Sequence, residues 1–308
     1  STLMRSSAAS DVYKRQMSIL INENTRVIVL GITGNSGSLQ TKAMLEAGTK
    51  IVAGVTPGKG GREVYGVPVF DYISEAAKEI AFDTAISFVP PAFCKDSCYE
   101  AIDAGIRLLV LTTEELPLLD VVEILAYAKG HGVTVVGPGC AGVIAPGKSK
   151  VGSHPVRFFR PGRVGIVSKS GALSYEIGKT LSDAGIGQST IAALGGGPIW
   201  GFTQKDAVAH FAQDPDTDVI VLLGEIGGNT EEQAAAYIKE YVTKPVVALI
   251  VGRNAPKGKS LGHAGAIVNG SAGTAAGKIA ALQDAGAYVV SNPQEMVGVI
   301  RKLLNKGE

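Results

Sequence analysis

The stretch RVIVLGITGNSG, Arg26–Gly37, joins an aliphatic β-rich run to a turn with glycines at 31, 34 and 37, and then enters a helical pattern. A strand that ends in such a turn and opens a helix is the first half of a βαβ unit. The pattern repeats downstream. KIVAGV (50–55), TAISFV (84–89), LLVLTT (108–113) and VTVVG (133–137) read as strands, and residues 39–47, 73–80, 94–104 and 118–129 read as helices between them. Strands that alternate with amphipathic helices pair in parallel, with both faces of the sheet covered.

A basic stretch punctuated by Pro and Gly, APGKSKVGSHPVRFFRPGR (145–163), interrupts this alternation and is expected to contain a domain boundary. The pattern then resumes with VGIVSKS (164–170), STIAAL (189–194), DVIVLLGE (218–225), VVALIVG (246–252) and AYVVS (287–291). Helices are predicted over 173–184, 231–242, 274–285 and 293–304. The organisation expected is therefore a domain over 17–145, a linker over 146–162 and a second open α/β domain over 163–308. Residues 1–16, STLMRSSAASDVYKRQ, lack an apolar signal core and precede a natural start at Met17, so they read as a non-native or disordered extension.

Composition narrows the function. The 308 residues are 45% hydrophobic and 19% charged, with a net charge of +1, which gives no reason to expect a nucleic-acid partner. The longest apolar runs fall well short of the roughly 20 residues of a membrane span. Three cysteines make no disulfide framework, and a cytoplasmic location is the expectation, or the mitochondrial matrix if the source is eukaryotic. Cys94 and Cys98, one helical turn apart, lack a second ligand pair, and no H-E-x-x-H spacing occurs, so no metal site is expected in this chain.

GITGNSG (31–37) suits close approach of a phosphate to backbone N–H groups at a helix N-terminus. An NAD site would call for an acidic residue near the end of the second strand. The chain offers GVTPGKGG (54–61) instead, and Lys59 on that glycine loop favours a ligand with additional phosphate, although a lone lysine there is otherwise a solvated surface residue. GPGCAG (137–142) places Cys140 on a loop after a strand, as a site-lining residue. SKSGALSYE (168–176) reads as a strand end and a helix start, which can cap itself or receive an anion. His263, in LGHAGAIVNGSAG (261–273), has almost no side-chain bulk around it and is expected to be exposed and mobile. A general base, a nucleophile and an accidental loop histidine all remain open from the residues alone.

Taken in order, GITG, GVTPGKGG, FCKDS, EAIDAGI, GIVSKSG, GEIGG, AAAYIKE, TKPVV, APKGK and GHAGAI resemble the α subunits of succinate–CoA ligases, from Met17 to about Leu304. The resemblance implies a Rossmann-like CoA-binding domain followed by a flavodoxin-like open parallel α/β ligase domain. It also implies a separate ATP-grasp β subunit that binds Mg²⁺ with ADP/ATP or GDP/GTP. On this resemblance His263 is the nucleophile that becomes phosphohistidine and Glu225 orients it. Thr33, Gly34, Asn35, Ser36, Lys59, Thr112, Thr113 and Glu114 fall on CoA-contacting positions, and Tyr175 on the position facing a small dicarboxylic acid. The amides of Ser170 and Gly171 are expected to receive the phosphoryl oxygens.

The chain departs from the family pattern at three loops. It has GPGCAG where G-P-N-C-P-G is common, GGGP (195–198) where G-G-D-P is common, and TTEE (112–115) where T-E-G is common. These departures leave the acid open between succinate and malate or a related acid. A CoA-binding module without catalytic duty is the rival from another class, and an NAD dehydrogenase is the reading that GITGNSG alone would invite.

Overall fold

The computed structural model describes residues 19–254, 262–268 and 273–305; the expected extension over 1–16 and the APKGK motif at 255–259 lie outside them. The first sheet is built from β1 (Arg26–Leu30), α1 (Asn35–Glu46), β2 (Lys50–Val55), β3 (Glu63–Val64), β4 (Val67–Phe70), α2 (Ile73–Glu79), β5 (Thr84–Ser87), α3 (Pro91–Asp103), β6 (Leu108–Leu111), α4 (Leu118–Gly130) and β7 (Thr134–Val136). Its strand order is β3-β4-β2-β1-β5-β6-β7, with β3 antiparallel to β4 at one edge and the other neighbours parallel. Numbering the six parallel strands in sequence gives 3-2-1-4-5-6, the doubly wound Rossmann order, with the switch point beside β1. β5 and β6 are buried along their whole length, as the continuous apolar runs require when helices cover both faces.

The second sheet comprises β8 (Gly142–Ala145), β9 (Ser149–Gly152), β10 (Pro161–Ser168), α5 (Gly171–Asp183), β11 (Gln188–Ala193), α6 (Gln204–Gln213), β12 (Val219–Glu225), α7 (Thr230–Tyr241), β13 (Val246–Val251), α8 (Ala275–Asp284), β14 (Tyr288–Val290) and α9 (Pro293–Leu304). The order is β14-β13-β12-β10-β11-β8-β9. The five parallel strands run 2-1-3-4-5, the flavodoxin-like order. α6 was not predicted, although its signal is present: Thr203 and Asp206 form a reciprocal capping box at its start.

The expected linker needs correcting. Residues 142–152 form a hairpin whose first strand pairs antiparallel with β11, so the second sheet begins at Gly142, inside the stretch assigned to the first domain. Polar residues and glycines hid these strands, since Ser149 and Lys150 are buried by neighbours distant in sequence. Thr49 and Lys150 exchange two hydrogen bonds, of 2.7 and 2.9 Å, and fasten the hairpin to the start of β2. One apolar cluster runs through both units, from Val29 and Val110 to Val143, Val151, Val167 and Phe211. Among the described residues no helix is long and apolar enough to cross a membrane.

Candidate active site

Both sheets direct their carboxyl ends toward one cavity of about 740 Å³. Its lining comes from the turns after β6 (Thr113, Glu114), β7 (Pro138 to Ala141), β10 (Lys169 to Ala172) and β11 (Gly195 to Ile199), together with Ser153, Tyr175 and Gly262 to Ala264. Loops beyond the carboxyl ends of parallel strands are where open α/β sheets place ligands. All three loops that depart from the family pattern contribute to this lining.

His263 differs from the exposed, mobile residue that was expected. Its side chain is 28% exposed and its Nδ1 lies 2.7 Å from Glu225 Oε2, the carboxylate at the end of β12 being 8% exposed. The turn that carries it is docked on two other loops: Gly265 N–H donates to Gly196 O at 3.2 Å, and a Cβ on Gly227 would lie 2.1 Å from Gly265 O. The ring itself packs over Gly196, where a Cβ would meet His263 at 2.4 Å. Room for the imidazole thus comes from Gly196 in another loop, while Gly265 lets the His263 turn approach the Gly197 carbonyl, which a Cβ would meet at 2.9 Å.

The Glu225 carboxylate raises the His263 pKa above its ordinary value, chiefly through this hydrogen bond; partial burial and the charge of Lys169 act against it. With a carboxylate accepting from Nδ1–H, the neutral ring is held as the tautomer whose Nε2 carries the lone pair. Such a ring is poised as a nucleophile whose positive charge, once formed, is already matched.

The helix α5 starts at this cavity. Ser170 caps it, accepting from Leu173 N–H at 3.3 Å, and Ser168 Oγ both donates to Ser170 O at 2.7 Å and accepts from Ser170 N–H at 3.0 Å. Ser170 and Gly171 thus sit at the positive end of a 13-residue helix, suited to an anion. Tyr175, one turn further on, is half-buried, with its hydroxyl 3.5 Å from Ser153 Oγ. Cys140 is buried, bonded to Leu111 O and Val136 O, and burial pushes its thiol up to about 12, which suits a lining residue and not a nucleophile.

The remaining predicted positions line the carboxyl edge of the first sheet. Gly34, Asn35 and Ser36 are exposed at the start of α1, and Thr33 N–H reaches Thr56 Oγ1 at 3.4 Å. Gly37 is obligatory, because a Cβ there would lie 2.1 Å from Gly31 O. Lys59 is exposed on a loop whose Lys59 and Gly60 N–H groups donate to Asp71 Oδ1 at 2.9 and 2.8 Å. Asp71 therefore braces this turn. Thr112 and Thr113 donate to Ser87 O and Val89 O, joining the turns after β5 and β6. Of the predicted residues, Thr113, Glu114, Cys140, Ser170, Gly171, Tyr175 and His263 share the cavity; Glu225 stands behind His263, and Thr33 to Ser36, Lys59 and Thr112 lie outside the lining. Among the described residues no group of three or more His, Cys, Asp and Glu side chains could hold a metal ion.

Sequence reasoning missed His154. It is fully buried beside Tyr175 and Phe159, and neither ring nitrogen has a hydrogen-bond partner. Burial, with a contribution from Lys150, pulls its pKa down to about 3. A histidine neutral in the fold but protonated when unfolded stabilises the fold fully above about pH 6.5 and loses that stabilisation as pH falls toward 3. His154→Met is expected to flatten this acid loss by a few kcal/mol on the order-of-magnitude scale of such shifts. Urea unfolding of both proteins at pH 7 and pH 4.5 measures it, and equal losses would refute it.

Comparison with known proteins gives a consistent picture. The CoA binding domain family matches residues 22–115 and the CoA-ligase family matches residues 167–288. The chain is 52% identical over 290 residues to "Succinate--CoA ligase [ADP-forming] subunit alpha 1" of Archaeoglobus fulgidus, covering 94% of this chain and 99% of that protein. It is 48% identical to the corresponding subunit alpha of Aquifex aeolicus, over 94% of this chain and 95% of that one. Among solved structures, ATP citrate lyase from Methanothrix soehngenii in complex with citrate and coenzyme A superimposes with a TM-score of 0.86 at 28% identity. That match takes in 95% of this chain but 52% of the lyase, so the chain spans about half of that longer protein.

Proposed function

The chain belongs to the family of succinate–CoA ligase α subunits, and from that premise we propose that it is the CoA-binding, phosphohistidine-carrying half of such a ligase. The observation that carries the reading is the 2.7 Å contact of His263 Nδ1 with Glu225, which leaves Nε2 as the nucleophile of the shared cavity.

In this proposal CoA lies along the carboxyl edge of the first sheet. The exposed N-terminal turn of α1 at Thr33 to Ser36 receives its phosphate, Lys59 adds a charge on the braced loop, and Thr112 to Glu114 and Cys140 guide the thiol end into the cavity. Succinyl-CoA and phosphate give succinyl phosphate and CoA, with the acid beside Tyr175. Nε2 of His263 then attacks phosphorus, the bond to the bridging oxygen breaks, and its electron pair leaves with the succinate carboxylate. The Gly171 N–H and the Ser170 hydroxyl hold the phosphoryl oxygens at the start of α5, since the Ser170 N–H is already given to Ser168 Oγ. Positioning and charge supply most of what such a transfer needs.

The phosphoryl group must finally reach a nucleoside diphosphate. We assign that step, with Mg²⁺, to an ATP-grasp β subunit, so the α chain turns over only in the complex.

Phosphopeptide mass spectrometry of the chain co-expressed with its β subunit, incubated with Mg²⁺ and NTP and handled at alkaline pH, tests the reading. Phosphate on His263 that succinate plus CoA discharges is the expected result. An unmodified His263 in a complex that still forms succinyl-CoA would overturn it.

A further inference from the structure

Beneath the cavity lies a buried ion cluster that the phosphoryl relay, as described, does not use. Lys169, between the two serines at the end of β10, is 4% exposed, and its Nζ lies 2.8 Å from Glu231 Oε1. Glu231 is fully buried at the start of α7, and its other oxygen is 2.5 Å from Lys278 Nζ, which is equally buried. Lys278 also reaches Glu232 at 2.9 Å and Gly228 O at 3.1 Å. The oxygen that holds Lys169 also accepts from Glu225 N–H at 3.2 Å, so one carboxylate oxygen ties together the ammonium and the residue that orients His263.

A buried ion cluster is weak evidence of stability, since desolvation offsets much of its attraction. Its placement is more informative. Among the described residues Lys169 is the one Lys or Arg lining the cavity, and the Trp200 ring lies 5.2 Å from its Nζ. Two lysines share the Glu231 carboxylate, and Lys278 has Glu232 as a second partner, so Lys169 divides its carboxylate with another ammonium. Burial alone pushes the Glu231 carboxyl up, yet the two lysines together hold it below the usual carboxylate range and so keep it ionised. The charge of Lys169 is also felt at the His263 ring, where it opposes protonation.

We propose that Lys169 is a cation that takes up the charge of the phosphoryl group on His263, and that Glu231, held by Lys278, is the positioning residue that fixes this ammonium beside the cavity. The inference rests on the phosphohistidine reading above. During transfer, Nε2 gives its lone pair to phosphorus while the bridging-oxygen bond breaks toward the leaving group. Lys169 takes no part in the bond changes and acts through its charge. A preorganised cation that is itself only 4% exposed needs little reorganisation as the negative charge arrives.

The test uses the αβ complex with Mg²⁺ and NTP, following phosphate on His263 in time by mass spectrometry, with CoA affinity as the check on folding. Lys169→Met is expected to slow His263 phosphorylation by about 10²–10³-fold, the usual cost of removing one preorganised charge partner. Lys169→Arg, which keeps the charge, is expected to recover most of that loss. Glu231→Gln is expected to slow the step about tenfold alone and to add almost nothing to Lys169→Met, because residues acting through one another are not additive.

A Lys169→Met complex that binds CoA normally and phosphorylates His263 within about threefold of wild type overturns the proposal, as do losses that multiply in the double variant. If Lys169→Met no longer binds CoA, Glu231→Gln decides, and a wild-type rate there overturns it. A wild-type complex with no phosphate on His263 would instead remove the relay reading on which the inference stands.

Discussion

His263→Ala, assembled with its β subunit, is expected to carry no phosphate on this loop and to lose at least about 10⁴-fold in succinyl-CoA formation, since removing a covalent nucleophile removes the path itself. CoA affinity should stay within about twofold of wild type. The two readouts separate because the residues assigned to CoA lie mainly on turns after β1, β2 and β6, whereas His263 is held by Glu225 at the end of β12 in the other sheet. The ring packs over Gly196 and not within an apolar cluster, so its removal opens space at the cavity without emptying the core. Turnover by NTP-dependent acyl-CoA formation and phosphate by alkaline mass spectrometry measure the effect together. Normal turnover in this variant would reject the nucleophile, and lost CoA affinity would point to misfolding.

The alternation that starts at Arg26 made the two sheets legible, because residues buried on both faces leave continuous apolar runs such as DVIVLLGE, whose strand β12 is buried throughout. The hairpin Gly142 to Gly152 was not legible. Its second strand contains Ser149 and Lys150, which are buried where β9 pairs with β8, itself paired with β11, and packs on α1. The same limit hid Glu231 and Lys278. In sequence Glu231 is an ordinary acidic residue in a first helical turn and Lys278 an ordinary helical lysine, and nothing local says that both are fully buried against each other.

For His263 the sequence showed the glycines but not their purpose. Isolation among glycines suggested an exposed ring, whereas Gly196 and Gly227 are small so that the loop can dock and the imidazole can lie against backbone. The pairing with Glu225 spans 38 residues and two loops, and no spacing rule reaches that far. It was legible only through resemblance.

That pairing is expected to set the pH behaviour of the proposed relay, which Glu225→Gln tests. In the proposed relay the nucleophile is the neutral ring, and the hydrogen bond to Glu225 is the largest cause of a His263 pKa above the ordinary 6.5. In the wild type, the phosphorylation rate should therefore fall as pH drops through a midpoint above 6.5. In the Gln variant the main upward cause is gone, while partial burial and the Lys169 charge still favour the neutral ring. The acid limb must then move to lower pH. The rate above both midpoints should nevertheless fall, by about 10²-fold or more, because an amide neither fixes the tautomer reliably nor balances the positive ring as phosphorus bonds to Nε2. More neutral histidine and slower transfer together distinguish an orienting carboxylate from one that only tunes basicity, since loss of basicity control alone would shift the limb and leave the plateau unchanged. Single-turnover phosphorylation of the αβ complex between pH 5.5 and 9, scored on His263, reads both quantities. A limb that stays in place, or one that moves upward, would show that Glu225 does not govern the ring.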